Sequence, residues 1–145
     1  MLFVLDNSVT MRWLFADGSD EDLAYADFIL ELLEQPDNHA TAPGIWPLEV
    51  ANVIARAEAK GLLTEARSAE FLGALRAMAI EVMPDVNHHA LDDILHLARR
   101  FRLSSYDAAY LNLALLLGAP LATLDKGLRG AASITQVPLL SSEIK

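Results

Sequence analysis

Four acidic residues stand at positions where carboxylates could carry out chemistry together: Asp6, Glu49, Asp107 and Asp125. Asp6 and Asp125 each end a short apolar run, whereas the other two stand in the first turns of expected helices. Carboxylates held within ~4–6 Å raise one another's pKa, and burial raises it further, so a cluster of them destabilises the metal-free fold. The four acids therefore indicate a site for a cation.

Mg²⁺ and Mn²⁺ are the ions that suit such a site. Both are hard cations that prefer carboxylate oxygen, and Mg²⁺ keeps several waters for contacts with substrate phosphates. One such ion, or a pair of them about 3.5–4 Å apart, activates water and stabilises the leaving oxygen in phosphodiester cleavage. The chemistry that the acids suggest is therefore metal-assisted hydrolysis.

Each acid taken singly also has a structural explanation. Asp6 and Asp125 can cap the helices that follow their strands, and Glu49 lies in a first helical turn, where the helix dipole favours negative charge. The pattern Ser104-x-x-Asp107 matches a capping box. The functional interpretation rests on all four together, because helices that follow parallel strands begin at one edge of the sheet.

Small polar residues beside the acids are expected to orient the carboxylates through hydrogen bonds. These residues are Asn7, Ser8, Asn52, Ser105 and Thr123. Arg12 is expected either to contact a phosphate or to form a surface ion pair. Trp13 and Trp46 neighbour two of the acids in sequence, and we interpret both as core residues rather than as platforms for a stacked base.

The elements that must position these residues alternate along the chain. Residues 2–5 are apolar without alternation, which predicts a strand buried on both faces in the middle of a parallel sheet. Further strands are predicted at residues 39–42, 80–83 and 121–124, with 136–139 as a candidate edge strand because it contains a proline. Helices are predicted at residues 11–15, 21–34, 64–78, 87–100, 108–117 and 126–132, and from Pro47 until Gly61. The alternation predicts an α/β fold with a mostly parallel sheet.

Length and composition restrict the interpretation further. The length predicts a single domain over residues 1–145, and 53% hydrophobic residues suit a buried sheet. The chain has no cysteine, which excludes disulfides and thiolate metal sites. Without a signal peptide or a long apolar run, the protein is expected to be cytoplasmic and to have no membrane contact. The net charge of −9 argues against a broadly basic nucleic-acid surface but not against local contacts through metal ions.

Four short motifs occur in order between residues 2 and 125: Leu5-Asp6-Asn7-Ser8-Val9, Pro47-Leu48-Glu49-Val50-Ala51-Asn52, Ser105-Tyr106-Asp107-Ala108-Ala109-Tyr110 and Leu121-Ala122-Thr123-Leu124-Asp125. Together they resemble the motifs of PIN-domain nucleases, particularly the VapC-type toxins of bacterial toxin–antitoxin pairs. The resemblance implies a three-layer α/β/α fold with a central, mostly parallel five-stranded sheet. It also implies a Mg²⁺- or Mn²⁺-dependent endoribonuclease that cleaves RNA, forms a homodimer and is inhibited by a cognate antitoxin. The catalytic and metal-binding residues that it implies are Asp6, Glu49, Asp107 and Asp125, supported by Ser8 and Thr123.

Other functional classes fit the sequence less well. A phosphatase of the haloacid dehalogenase type needs Asp-x-Asp-x-Thr, but this chain has Asp6-Asn7-Ser8-Val9-Thr10, without the second acid. A phospho-accepting signalling domain would rest on the fold alone, which is a poor warrant for function. A catalytically silent PIN-like binding module stays an alternative, and an assay of metal-dependent cleavage would separate it from a nuclease.

The predicted helix at residues 21–34 carries more apolar side chains than one core-facing stripe requires. Phe28 and Leu32 are expected to form an exposed patch beside Ile29 and Leu33. An exposed apolar patch usually marks an interface. This helix is therefore predicted to bind the amphipathic tail of an antitoxin, from which an arginine could reach the acids.

Overall fold

The computed structural model describes residues 1–84 and 87–142. Its sheet has four strands, β1 (Leu2–Leu5), β2 (His39–Pro43), β3 (Ile80–Met83) and β4 (Leu121–Ala122). They lie in the order β3-β2-β1-β4, and all three pairings are parallel. The predicted α/β fold with a parallel sheet is confirmed, with β1 in the interior of the sheet as its apolar sequence indicated.

The prediction of a fifth strand is wrong, because the described part of the chain contains only four strands. Leu139 forms an isolated parallel bridge with Leu121 instead of a strand. The Leu121 amide donates to the Pro138 carbonyl at 2.8 Å, and the Leu140 amide donates to the Leu121 carbonyl at 3.0 Å. Pro138 has no N–H to donate, so the pairing does not extend into a ladder.

In the described part of the chain, seven α-helices connect and follow the strands: α1 (Asn7–Leu14), α2 (Asp20–Glu34), α3 (Trp46–Ala59), α4 (Glu65–Arg76), α5 (Leu95–Phe101), α6 (Ser105–Leu117) and α7 (Lys126–Thr135). Phe3, Val4 and Leu5 of β1 are fully buried. Since successive residues of a strand point to opposite faces, both faces of the sheet are covered at β1. That burial fits a layer of helices on each side.

Several predicted helices differ from the observed ones in their bounds or geometry, and α6 begins at Ser105 rather than at residue 108. Helix α1 begins at Asn7, directly after Asp6, and not at residue 11. The segment predicted as one helix at 87–100 starts outside α-geometry, with a 3₁₀ turn at Asn87–His89 and a π-helical turn at Ala90–Ile94 before α5. Helix α7 extends three residues beyond its predicted end. Element type was therefore predicted better than element boundaries.

Helix α6 is the central helix of the core. All seven residues from 108 to 114 are buried, and α6 contacts β1, β2 and β4. This confirms the prediction made from its nearly uncharged sequence. The first turn of α6 carries Asp107, so burial of the helix fixes one candidate site residue against the sheet.

The prediction of an exposed apolar patch on α2 is wrong. Phe28 and Leu32 are half-buried and pack against the core. The prediction counted burial against the sheet alone, but α1 also packs on α2, and the Trp13 indole donates to the Ala26 carbonyl at 2.9 Å. Within the described residues, no helix is long and apolar enough to cross a membrane.

Candidate functional site

The carboxyl ends of β1 and β4 form the base of the candidate site. The two strands are adjacent and parallel, with Leu5 opposite Ala122, and the Asp6 amide donates to the Ala122 carbonyl at 3.0 Å. Because both chains leave the sheet at this edge, the residues after each strand meet there. This brings Asp6 against Thr123 and near Asp125, as parallel pairing predicts.

Asp6 is the most buried of the four acids, with 4% of its surface exposed. Its Oδ2 accepts hydrogen bonds from Ser8 Oγ at 2.6 Å and from Thr123 Oγ1 at 2.7 Å. Both hydroxyls are held in turn, since Ser8 Oγ accepts from the Leu124 amide and Thr123 Oγ1 from the Asp125 amide. Burial raises the pKa of Asp6, and these hydrogen bonds offset part of the rise. The supporting roles predicted for Ser8 and Thr123 agree with these contacts.

Glu49 lies in the first turn of α3 and is positioned by a tyrosine. Tyr110, fully buried on α6, donates its hydroxyl to Glu49 Oε1 at 2.5 Å. Burial raises the pKa of Glu49, the Tyr110 hydrogen bond lowers it, and the charges of Asp6 and Asp107 raise it. The same surroundings raise the pKa of Tyr110, so its hydroxyl stays protonated as the donor.

Asp107 occupies the first turn of α6, where Ser104 Oγ accepts from its backbone amide at 3.0 Å. Burial raises the pKa of Asp107 to about 6, with further contributions from the charges of Asp6 and Asp125. A hydrogen bond with the Ser104 side chain partly offsets that rise. A carboxyl with a pKa near 6 can exchange a proton close to neutral pH.

Asp125 has a structural role at this edge, as its single-residue interpretation predicted. It is the N-cap of α7, and its Oδ2 accepts from the Leu128 amide at 2.8 Å. Asp6, by contrast, makes no side-chain cap to α1, although it precedes that helix. The charge of Asp125 raises the pKa of both Asp6 and Asp107, so Asp125 also belongs to the acid cluster.

Two predicted supporting residues have exposed side chains and do not contribute to the hydrogen bonds that hold the carboxylates. Asn52 and Ser105 are exposed, and neither makes a hydrogen bond to an acid within the described part of the chain. Arg12 forms the surface ion pair, at 2.7 Å from Asp17. Trp46 is buried and donates to Thr10 Oγ1 at 3.1 Å, and Trp13 packs against the core, so both are core residues as interpreted.

Tyr110 is the site residue that the sequence interpretation missed. It is the last residue of the motif around Asp107, and the motif alone assigns it no role. Residues three apart on a helix lie on neighbouring parts of its surface. Its spacing from Asp107 was therefore a usable signal that the buried hydroxyl points toward the acids.

The oxygen-rich lining of the site fits Mg²⁺ or Mn²⁺, since it combines carboxylates and hydroxyls. Asn7 Oδ1, next to Asp6 in sequence, is buried and has no hydrogen-bond partner within the described residues. In residues 1–84 and 87–142, no group of three or more His, Cys, Asp or Glu side chains is arranged to hold one ion directly. Mg²⁺ is usually bound through one or two carboxylates and several waters, so the donor set still suits it.

Comparisons with known proteins agree on one fold. The family model described as PIN domain matches residues 3–134. PAE2754 from Pyrobaculum aerophilum has a similar structure, with a TM-score of 0.64 and 17% identity over 90% of this chain and 84% of that chain. VapBC2 from Rickettsia felis, bound to a DNA fragment from its promoter, has a TM-score of 0.63 and 14% identity over 97% and 96%.

FitAcB from Neisseria gonorrhoeae is also similar, with a TM-score of 0.60 and 18% identity over 97% of each chain. No curated protein sequence matches this chain significantly. At these identities the structural matches show a shared fold.

Proposed function

The chain belongs to the PIN domain family, and from this premise we propose that it is a metal-dependent endoribonuclease that acts as the toxin of a toxin–antitoxin pair. PIN domains are generally nucleases that use divalent metals. The substrate proposed is RNA, and the ion is Mg²⁺ or Mn²⁺. Asp6, Glu49, Asp107 and Asp125 are proposed as its metal-binding and catalytic residues.

The observation that carries this proposal is the burial of mutually repelling carboxylates. Burial raises the pKa of Asp6, Glu49 and Asp107, and the negative charge of at least one other acid raises each pKa further. Within the described residues, no Lys or Arg contributes to lowering these pKa values. An arrangement that costs stability without a cation supports a function that uses one.

The residues divide the proposed work among them. Asp6 is held by two hydroxyls, so it presents a fixed carboxylate to the ion, and Tyr110 orients Glu49 in the same way. Asp107, in the first turn of α6, completes the proposed set of carboxylates, and its charge interacts with those of Asp6 and Asp125. A divalent ion held by Asp6, Glu49 and Asp107 would supply a more acidic water and would neutralise charge at the phosphate.

The direct test is cleavage of cellular RNA by the purified protein with Mn²⁺. We expect EDTA-sensitive cleavage at few sites, which Asp6→Asn abolishes although the variant still folds. Glu65→Gln is the matched control, since it removes an exposed acid from the first turn of α4, a helix that contributes no residue to the acid cluster. Equal cleavage by the parent and Asp6→Asn would refute the mechanism, and no cleavage by either would favour the silent binding module.

The proposed protein partner is an antitoxin, as two of the similar structures suggest. One is a toxin–antitoxin complex from Klebsiella pneumoniae, with a TM-score of 0.54 and 19% identity over 88% of this chain and 91% of that chain, and the other is VapBC2. With α2 packed into the core, the best candidate surface is the apolar groove of about 620 Å³ that residues of α3, α4 and β3 line. We propose that an amphipathic antitoxin segment lies in this groove.

Alanines in the groove allow a test that leaves the core intact. Ala55 lines the groove and is exposed, whereas Ala59 is exposed on the same helix but outside it. We expect Ala55→Glu to weaken binding of the antitoxin, while Ala59→Glu binds like the parent. Both variants should keep nuclease activity and the mass of the proposed homodimer. Equal antitoxin affinity of the two variants would show that the groove is not the docking surface.

A further inference from the structure

A small open pocket adjoins the acid cluster on the side of Glu49. Its volume is about 340 Å³, and its lining residues are Ile45, Leu48, Glu49, Asn52 and Tyr106. All five belong to the described residues, and three come from the first two turns of α3. Glu49 borders both this pocket and the carboxylates, so an occupant of the pocket would lie directly beside the reacting centre.

The walls of the pocket are large apolar side chains that the fold leaves in solvent. Tyr106 is 56% exposed and Leu48 is 66% exposed. Each immediately precedes one of the acids in sequence, Asp107 and Glu49 respectively. Neither side chain serves the core at this exposure, so their contact with a ligand is a better explanation than packing.

The polar groups of the pocket complement the edge of a nucleobase. The Asn52 side-chain amide offers two donors and an acceptor, and it makes no hydrogen bond to another described residue. The Glu49 carboxylate offers an acceptor. Proteins recognise bases of single-stranded RNA by stacking them on aromatic rings and pairing their edges with such groups. We infer that this pocket binds one base of the RNA, stacked on Tyr106 and contacted at its edge by Asn52.

This inference rests on the proposed nuclease function and specifies how the substrate is held. Since Glu49 lines the pocket and also interacts with the charges of Asp6 and Asp107, the base belongs to a nucleotide near the bond that is cleaved. An apolar side chain from a protein partner would cover the Glu49 and Asn52 polar groups without pairing them, which leaves buried hydrogen-bonding groups unsatisfied. A base can hydrogen-bond to both.

The test compares RNA oligonucleotides that each lack a single base around the cleaved bond. Tyr106→Ala removes the stacking contact that contributes to RNA binding, so it should raise KM by roughly 5- to 150-fold with little change in kcat. Tyr106→Phe keeps the ring and should keep the parent's KM. Leu62→Ala, an exposed leucine that does not line the pocket, is the surface control.

One abasic position should raise KM for the parent and have no further effect on Tyr106→Ala, because base and ring act as one contact. If Tyr106→Ala has the parent's KM and the parent's abasic profile, the inference is overturned. It is also overturned if Tyr106→Ala alters antitoxin affinity or dimer mass while KM for RNA is unchanged. If the parent cleaves no RNA, the proposed function fails first, and this inference fails with it.

Discussion

Replacing Asp107 by asparagine should stabilise the metal-free protein at neutral pH. The pKa of Asp107 rises from 3.8 to about 6 in the folded protein, because burial and the charges of Asp6 and Asp125 oppose its ionisation. A carboxyl whose pKa is raised by folding stabilises the fold while it is protonated. That contribution is complete below pH 3.8 and is lost as the pH rises through about 6. Asparagine keeps the shape of the acid and never ionises.

The size of the effect follows from the shift. A rise from 3.8 to about 6 corresponds to about 3 kcal/mol at ~1.4 kcal/mol per pKa unit. Asp107 is only half-buried, so solvent screening reduces this to about 1–2 kcal/mol. For a chain of 145 residues, that free energy raises the melting temperature by about 3–8 °C.

The assay is thermal unfolding in EDTA, followed at about pH 7.5 and again at about pH 4.5. We expect Asp107→Asn to melt above the parent at the higher pH and the difference to shrink at the lower pH. Glu65→Gln removes an exposed first-turn acid outside the cluster and should melt at or slightly below the parent. A melting temperature of Asp107→Asn at or below that of the parent at pH 7.5 would refute the repulsion, as would a gain that does not depend on pH.

Two further variants test the groups that hold the acids. Thr123→Val should lower the free energy of unfolding by about 1–3 kcal/mol, because it removes a donor from the buried Asp6 carboxylate. The assay is denaturant unfolding, with Thr41→Val as the control. The Thr41 hydroxyl is buried without a partner in the described residues, so its loss should leave stability unchanged or raise it. Equal losses of stability in the two variants would contradict the role of Thr123 as a donor to Asp6. Tyr110→Phe should reduce Mn²⁺-dependent cleavage while the variant still folds, since it frees Glu49. Unchanged kcat in Tyr110→Phe would show that this hydrogen bond is not needed.

The sequence was sufficient to predict the edge of the sheet at which the acids meet. Residues 2–5 and 121–124 are both apolar runs that end in an acid, and parallel strands bring such ends together. Position beside an acid predicted carboxylate contacts for Ser8 and Thr123, which the structure shows, and equally for Asn52 and Ser105, which form no such hydrogen bond in the described residues. Local patterns and strand direction were enough for this part of the site, because neither depends on the packing of distant helices.

Features that depend on distant contacts could not be predicted in this way. The hydrogen bond between Tyr110 and Glu49 joins residues 61 positions apart on two different helices. Phe28 packs against the core, and α2 also contacts α1, which periodicity within α2 alone does not reveal. The prediction of a fifth strand was wrong because the chain beside Pro138 forms a single bridge, at Leu139, and not a ladder.

The central claim is that Asp6 and its neighbouring carboxylates bind a divalent cation. The most direct test titrates the protein with Mn²⁺ and measures the bound ion by electron paramagnetic resonance. We expect the parent to bind Mn²⁺ saturably and Mg²⁺ to compete with that binding. Glu65→Gln should bind Mn²⁺ like the parent, whereas Asp6→Asn should lose the binding while it remains folded. Absence of saturable binding in the parent, or equal binding by Asp6→Asn, would contradict the claim.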